Sequence, residues 1–106
     1  MHIELDSADA IGPVVRASRK AQSTRQDDAA GSIGVSESFM GKVESGDDSV
    51  QWGKLFQVLE GLGVRVILDV PDEAADQLAA AQQLLARRQR ARAERQTKGA
   101  GAGEER

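Results

Sequence analysis

The stretch GVSESFMGKVESG, residues 34–46, places several different side-chain chemistries within about two turns of a predicted helix. Ser36 is a good N-cap for this helix, Gly34 permits the turn before it, and Gly46 ends it. A carboxylate accepts hydrogen bonds, an ammonium group donates them, a hydroxyl does both, and an aromatic ring offers apolar contact. Groups of these kinds match the edges of bases in the major groove of DNA. The positions expected to carry them on the exposed face are Glu37, Ser38, Phe39 and Lys42.

Each of these side chains has a specific base contact available and also a plainer interpretation. Glu37 can accept from a cytosine amino group, Lys42 can donate to guanine, and Ser38 can do either. Phe39 can touch a thymine methyl group, or it can pack against the following helix. Glu37 and Lys42 are also compatible with a solvated pair of surface charges, although the surrounding motif favours base contact. Side chains that suit phosphate contacts, which set the register without reading sequence, are Arg16, Gln26 and Ser36.

The pattern of apolar residues predicts four short helices around this segment. The first covers residues 10–21 and the second residues 26–32, and the helix after Ser36 has Met40 and Val43 as its inward positions. A fourth helix is predicted to start near Ser49. Its apolar stripe is the strongest amphipathic signal in the chain, and consists of Trp52, Leu55, Phe56, Leu59 and Leu62.

A change of period after Gly63 predicts a β-strand over residues 64–70, VRVILDV, which ends before Pro71. A lone strand leaves backbone groups unpaired, so it needs residues 1–5 or the same strand of a second subunit as its partner. The second subunit is favoured, and the chain is therefore expected to form a homodimer. The residues predicted to form the dimer contact are Val64, Val66, Ile67, Leu68 and Val70.

Residues 11–62 resemble the helix-turn-helix of the Xre/Cro-type repressor family, through IGPVVRASRKA, QDDAAGSIGVS and SFMGKVESG. The segment LGVRVILDV, directly after the fourth helix, makes the chain most similar to the HipB-like antitoxins within that family. The spacing that carries the resemblance is that of Ala30, Gly34, Val35, Met40, Val43, Glu44 and Gly46.

The resemblance implies a mainly α fold: a lambda-repressor-like bundle of four to five short helices, one C-terminal dimerising β-strand, and an appended C-terminal helix. It also implies that Arg19 and Glu44 form a partly buried ion pair between the first and third helices. Functionally, it implies a repressor that binds palindromic operator DNA, autoregulates its operon, and neutralises a HipA-like kinase toxin.

The two parts of the chain differ in charge. Residues 1–70, the expected DNA-binding and dimerisation domain, carry 7 basic and 11 acidic side chains, a balance of −4. Residues 71–106 carry 7 basic and 6 acidic ones, a balance of +1. An appended helix is predicted over 71–96, with a disordered tail over 97–106. The helix has an apolar stripe and then a basic run, 87–98, which can be a solvated face, a contact to the DNA backbone or a dock for an acidic partner. The stripe consists of Ala74, Leu78, Ala81 and Leu85.

Composition argues against an enzyme, a metal site and a cofactor. The chain has no cysteine, and its one histidine, His2, lies at the N-terminus. No segment resembles a signal peptide or a membrane span, so a cytoplasmic protein is expected. Two alternatives to an antitoxin stay open: a stand-alone Xre-type transcriptional regulator, and a protein-interaction module with little DNA affinity, which the acidic balance of residues 1–70 would favour.

Overall fold

A computed structural model describes the backbone of residues 1–104 and the side chains of residues 1–97. The chain divides into two compact units, Met1–Ile67 and Leu68–Arg106, which are described separately. The first unit contains a 3-10 turn, Ala8–Ala10, and then four α-helices. These are α1, Ile11–Ala21; α2, Gln26–Ile33; α3, Glu37–Glu44; and α4, Trp52–Gly61.

The core of the first unit is small and draws on all four helices. Its buried members are Val15, Ala29, Ala30, Met40, Val43, Val58, Leu59 and Leu62. The four largest side chains that are fully buried come from three different helices. The helical bundle predicted from the apolar periodicity is therefore present, with helix bounds within a few residues of those expected.

Helix α1 approaches α3 closely because Gly12 lies at the contact. A Cβ atom on Gly12 would lie 2.6 Å from the carbonyl oxygen of Glu44 and 3.1 Å from the backbone nitrogen of Gly46. Both neighbours are backbone atoms, so neither can rotate away. One turn along the same face of α1, Val15 is fully buried. The absence of a side chain at residue 12 thus sets the distance between α1 and the C-terminal end of α3.

The turn between α2 and α3 depends on a left-handed glycine. Gly34 has a φ of 96°, and its N–H donates to the carbonyl oxygen of Ala30 at 2.9 Å. The N–H of Val35 donates to the same oxygen at 3.0 Å. These two bonds close the end of α2 and reverse the chain so that α3 can begin three residues later.

Only part of the apolar stripe predicted for α4 faces the core. Val58 and Leu59 are buried and Leu55 is half-buried. Trp52, by contrast, is 72% exposed and Phe56 is 37% exposed. The positions that face the core are Leu55, Val58, Leu59 and Leu62, a set with helical spacing in which Val58 takes the place that the prediction gave to Phe56. The two aromatic side chains consequently lie at the surface.

The predicted dimerising β-strand is wrong. No strand occurs among residues 1–104, and residues 64–70 have no regular secondary structure. Val64 is held against α4, because its N–H donates to the carbonyl oxygen of Leu59 at 2.9 Å. The remaining apolar members of the segment, Val66, Ile67, Leu68 and Val70, are exposed. A β-strand requires backbone hydrogen bonds to a neighbouring strand. Residues 1–5, the intrachain partner considered, are not a strand either.

The second unit consists of a 3-10 turn, Asp72–Ala74, and helix α5, Ala75–Glu104. The helix continues beyond its predicted end at residue 96, into the segment 97–106 for which a disordered tail is predicted. Residues 105–106 lie outside the described part. Alanine, glutamine, leucine and arginine, all strong helix formers, fill most of it. Through residue 97, no side chain of α5 is buried. None of the described helices combines the length and apolar character that a membrane crossing requires.

Candidate nucleic-acid interface

Helix α3 presents a polar face because its opposite face is anchored in the core. Met40 and Val43 are buried, with 0% and 1% of their surface exposed. At the start of the helix, the hydroxyl of Ser36 accepts a hydrogen bond from the N–H of Phe39 at 3.0 Å, the geometry of an N-cap. Of the four predicted base-contacting residues, the three that are exposed are Glu37, Ser38 and Lys42.

Phe39, the fourth of these residues, is half-buried and packs against the core. The ammonium group of Lys54, on α4, lies 5.9 Å from the centre of its ring. A cation at this distance is attracted by the π face of the ring. Phe39 therefore connects α3 to α4, and only part of its side chain is available to a ligand.

Arg19 of α1 and Glu44 of α3 form a bidentate ion pair. Arg19 Nε donates to Glu44 Oε2 at 2.8 Å, and Arg19 Nη2 donates to Glu44 Oε1 at 2.8 Å. Both side chains are nearly buried, with 10% of Arg19 and 5% of Glu44 exposed. A guanidinium and a carboxylate joined by two parallel bonds are held in one relative orientation.

A third hydrogen bond from the same guanidinium reaches the loop between α1 and α2. Arg19 Nη1 donates to the carbonyl oxygen of Thr24 at 2.9 Å. One side chain thus holds the end of α3 and the loop that leads into α2. Sequence reasoning missed the part played by Thr24, because a carbonyl acceptor leaves no signature in residue types.

The residues predicted to contact phosphates occupy three different environments. Arg16 is exposed on α1, one turn before Arg19. Gln26 is half-buried, and its side-chain amide lies 3.8 Å from where a Cβ atom on Gly41 would be. Ser36 is exposed but already accepts a hydrogen bond as the N-cap of α3. Arg16 is accordingly the member of this group whose charge is free to meet a phosphate.

The pKa of Glu44 is lowered from its ordinary value. Hydrogen bonding from Arg19 is the largest cause, burial opposes it, and the charge of Arg19, the amide of Gln26 and the charge of Arg16 lower this pKa further. The pKa of Arg19 is raised, chiefly by its hydrogen bonds to the same carboxylate. Both groups are therefore charged at neutral pH, and the pair is fully formed.

Asp47, which follows α3, has a local structural role. Its carboxylate accepts from the N–H of Ser49 at 2.9 Å and from the hydroxyl of Ser49 at 2.6 Å. These bonds lower the pKa of Asp47. They also shape the loop between α3 and α4, so this acidic side chain is directed to its own backbone.

Nothing in the described part of the chain suggests a metal centre, since no group of histidine, aspartate and glutamate side chains there could hold an ion. An open depression of about 70 Å³ lies between α2, α4 and the loop after α1. Its lining includes Gln22, Thr24, Ala29, Ile33 and Leu62. The polar face of α3 is thus the strongest candidate site.

Comparison with known proteins identifies one similar sequence. The sequence is similar to the uncharacterized HTH-type transcriptional regulator y4mF of Sinorhizobium fredii (strain NBRC 101917 / NGR234), with 43% identity over 63 residues, 59% of this chain and 83% of that protein. No protein-family model matches the chain.

The fold is similar to that of HipB in two solved assemblies. One is the HipB-O1-O2 complex, with a TM-score of 0.60 and 17% identity, covering 65% of this chain and 100% of that chain. The other is the HipA-HipB-O2-O3 complex, with a TM-score of 0.60 and 17% identity, covering 67% and 100%. At this identity the likeness concerns the fold alone.

The lowered pKa of Glu44 predicts a specific loss of stability in acid. A carboxyl group whose pKa is lower in the folded state stabilises the fold above its unfolded pKa, and this contribution is lost as the pH falls through the folded value. Glu44→Gln, which cannot ionise, should therefore be less stable than the natural chain at pH 7. The difference should shrink as the pH falls below about 4.5, the ordinary value for glutamate.

Urea unfolding from pH 7 to pH 2 measures this difference directly. Glu37→Gln is the matched control, since Glu37 is exposed at the start of the same helix. At each pH, the unfolding free energy of Glu37→Gln should lie within about 0.5 kcal/mol of that of the natural chain. A gap between Glu44→Gln and the natural chain that stayed constant over the whole range would show that the carboxylate charge does not stabilise the fold.

Proposed function

Because the chain belongs to the family of HTH-type transcriptional regulators, we propose that it is a sequence-specific repressor that reads operator DNA with α3. The observation that carries this proposal is the two-sided character of that helix. Glu37, Ser38 and Lys42 are exposed, while Met40 and Val43 fix the opposite face in the core. A helix presented in this way fits the width of the major groove.

In this proposal each exposed side chain of α3 makes its own contact with a base. Lys42 donates to a guanine, Glu37 accepts from a cytosine amino group, and Ser38 forms a hydrogen bond of either kind. Phe39 offers a thymine methyl group the part of its ring that the core leaves uncovered. Each contact requires that α3 enters the groove at a constant angle, which the ion pair of Arg19 and Glu44 holds.

Contacts to phosphates fix the register of α3 without adding sequence preference. Arg16 supplies the charged contact in this proposal, because it is exposed and stands one turn from Arg19 on α1. Gln26 and Ser36 supply neutral ones from the start of α2 and the start of α3. Ser36 keeps a hydroxyl hydrogen to donate, since its N-cap bond uses only the oxygen as an acceptor.

We also propose that the repressor is a homodimer on a palindromic operator. Two copies related by a two-fold axis place their α3 helices in successive major grooves, about 34 Å apart. Apolar side chains that the described chain leaves exposed are available for the contact, including Val66, Ile67, Leu68 and Val70. This contact depends on the side chains and requires no strand.

A second part of the proposal concerns a protein partner. We propose that the chain is an antitoxin that binds and neutralises a HipA-like kinase and represses its own operon. The support is the match in fold to HipB in a complex that also contains HipA. The basic run in the second half of α5, with Arg87, Arg88, Arg90, Arg92 and Arg95 all exposed, offers charge for an acidic surface on that kinase.

Base contact by Lys42 predicts a change in sequence preference. Lys42→Ala should weaken binding to the operator by about 1–3 kcal/mol and leave binding to random DNA almost unchanged. Arg16→Ala is the contrasting variant: it should weaken binding to all sequences alike and reduce the salt slope by about one. Fluorescence anisotropy with labelled operator and with scrambled duplex, at several salt concentrations, measures both effects. Equal weakening of the two duplexes by Lys42→Ala would contradict base contact.

The antitoxin proposal predicts that the kinase and the DNA use different parts of the chain. Changing the five arginines between residues 87 and 95 to glutamine removes their charge but keeps good helix formers. This variant should lose inhibition of a HipA-like kinase encoded beside the gene, while its operator preference stays that of the natural chain. A natural chain that binds operator but inhibits no such kinase would instead be a stand-alone regulator.

A further inference from the structure

Gly41 lies on the polar face of α3, among the residues proposed to read bases. It directly precedes Lys42, and it stands three and four residues after Ser38 and Glu37, the spacing of neighbours on one face of a helix. All three of these side chains are exposed, and the core-facing residues of α3 lie on its other side. Gly41 therefore leaves a gap in the group of side chains proposed to contact bases.

The fold itself does not require a glycine at this position. A Cβ atom on Gly41 would lie 3.8 Å from Oε1 and 3.9 Å from Nε2 of Gln26, which are ordinary contact distances. Gly41 is also not among the glycines with a left-handed φ. Gly12 and Gly61 differ, because a Cβ atom on either would lie 2.6 Å from its nearest neighbour. Alanine could thus replace Gly41 without a steric conflict inside the protein.

A glycine in the middle of this helix makes the helix less stable. Glycine loses more conformational freedom on folding than alanine does, which lowers the folding equilibrium constant about two- to fivefold. Helix α3 has only eight residues, and Gly41 is the fifth of them, so the effect applies within its hydrogen-bonded interior. A glycine that weakens its helix, meets no close neighbour and faces outward is suited to the close approach of another molecule to the backbone.

We propose that Gly41 is the point of closest approach between α3 and the base edges of the operator, an inference that rests on the proposed function of that helix. Without a side chain at residue 41, a base edge can occupy the place that a Cβ atom would otherwise take. The side chains around it then reach further toward the floor of the major groove. Gly41 thus determines sequence preference through the depth of α3 in the groove, without a hydrogen bond of its own.

The amide of Gln26 forms one side of the space above Gly41. Gln26 begins α2 and is half-buried, and its two amide atoms are the nearest that another helix contributes. Because an alanine Cβ atom would only touch this amide, Gly41→Ala leaves Gln26 in place for its proposed phosphate contact. A change in DNA binding by that variant therefore reports on the space above residue 41 and not on Gln26.

Replacing this glycine by alanine should have opposite effects on stability and on DNA binding. Gly41→Ala should raise the folding equilibrium constant about two- to fivefold, because alanine is the better helix former. It should weaken binding to a duplex that the natural chain selects from a random library at least about tenfold, because the added methyl group holds α3 away from the base edges. Binding to unselected duplex, which depends on phosphates, should change less than about twofold. Urea unfolding and fluorescence anisotropy measure these effects.

Gly31→Ala is the matched control. Gly31 is exposed within α2, and no described atom outside its own turn lies within 4 Å of its missing Cβ atom. It also lies outside the helix proposed to enter the groove. This variant should gain the same stability as Gly41→Ala, and it should bind the selected duplex with natural affinity.

Three results would overturn the inference and leave the proposed function standing. Equal affinity of Gly41→Ala and Gly31→Ala for the selected duplex would show that no base edge meets residue 41. Equal weakening of selected and unselected duplex by Gly41→Ala would place the added methyl group against the DNA backbone. A Gly41→Ala variant less stable than the natural chain would show that the fold requires this glycine. A natural chain that selects no duplex would remove the proposed function itself, and the inference with it.

Discussion

The ion pair between Arg19 and Glu44 is the interaction on which the arrangement of the first unit depends. It joins α1 to the last residue of α3, and through Thr24 it also holds the loop that leads into α2. Both charged groups are nearly buried, so neither can be lost without leaving the other in a poorly solvated place. A core with eight buried apolar residues has little area with which to fix an angle between helices. A directional contact with two parallel bonds supplies that constraint.

Close backbone packing makes this ion pair possible. Gly12 lets α1 approach the carbonyl oxygen of Glu44, and Gly46 ends α3 directly afterwards with a left-handed φ of 85°. The carboxylate of Glu44 is thereby held near Arg19 at one end of α3, while Ser36 caps the other end. Between the two ends, one face of α3 is buried and the other is left for hydrogen bonds. In the proposed function, Met40, Val43 and Glu44 thus stabilise the fold while Glu37, Ser38 and Lys42 contact bases, and Phe39 takes part in both.

Much of this arrangement follows from the sequence, because it depends on local signals. Ser36 and Gly34 mark the start of α3 through a cap and a positive φ, and both are requirements of a single turn. The position of Trp52 could not be obtained in the same way. Its spacing fits the apolar stripe of α4, but whether it is buried depends on what the rest of the unit places above it. The same holds for residues 64–70, whose alternation is typical of a strand but which pair with no other segment among residues 1–104.

The central claim is that the ion pair sets the angle of α3 and thereby operator binding, and a double-mutant cycle tests it most directly. Arg19→Ala, Glu44→Ala and the double variant are compared in unfolding free energy and in operator affinity, at a temperature where all are folded. The account predicts that each single change costs about 3–5 kcal/mol of stability, and that the double change costs clearly less than their sum. It also predicts that both single variants bind operator more weakly, although neither residue touches DNA. Folded single variants that bind operator with natural affinity would contradict the claim.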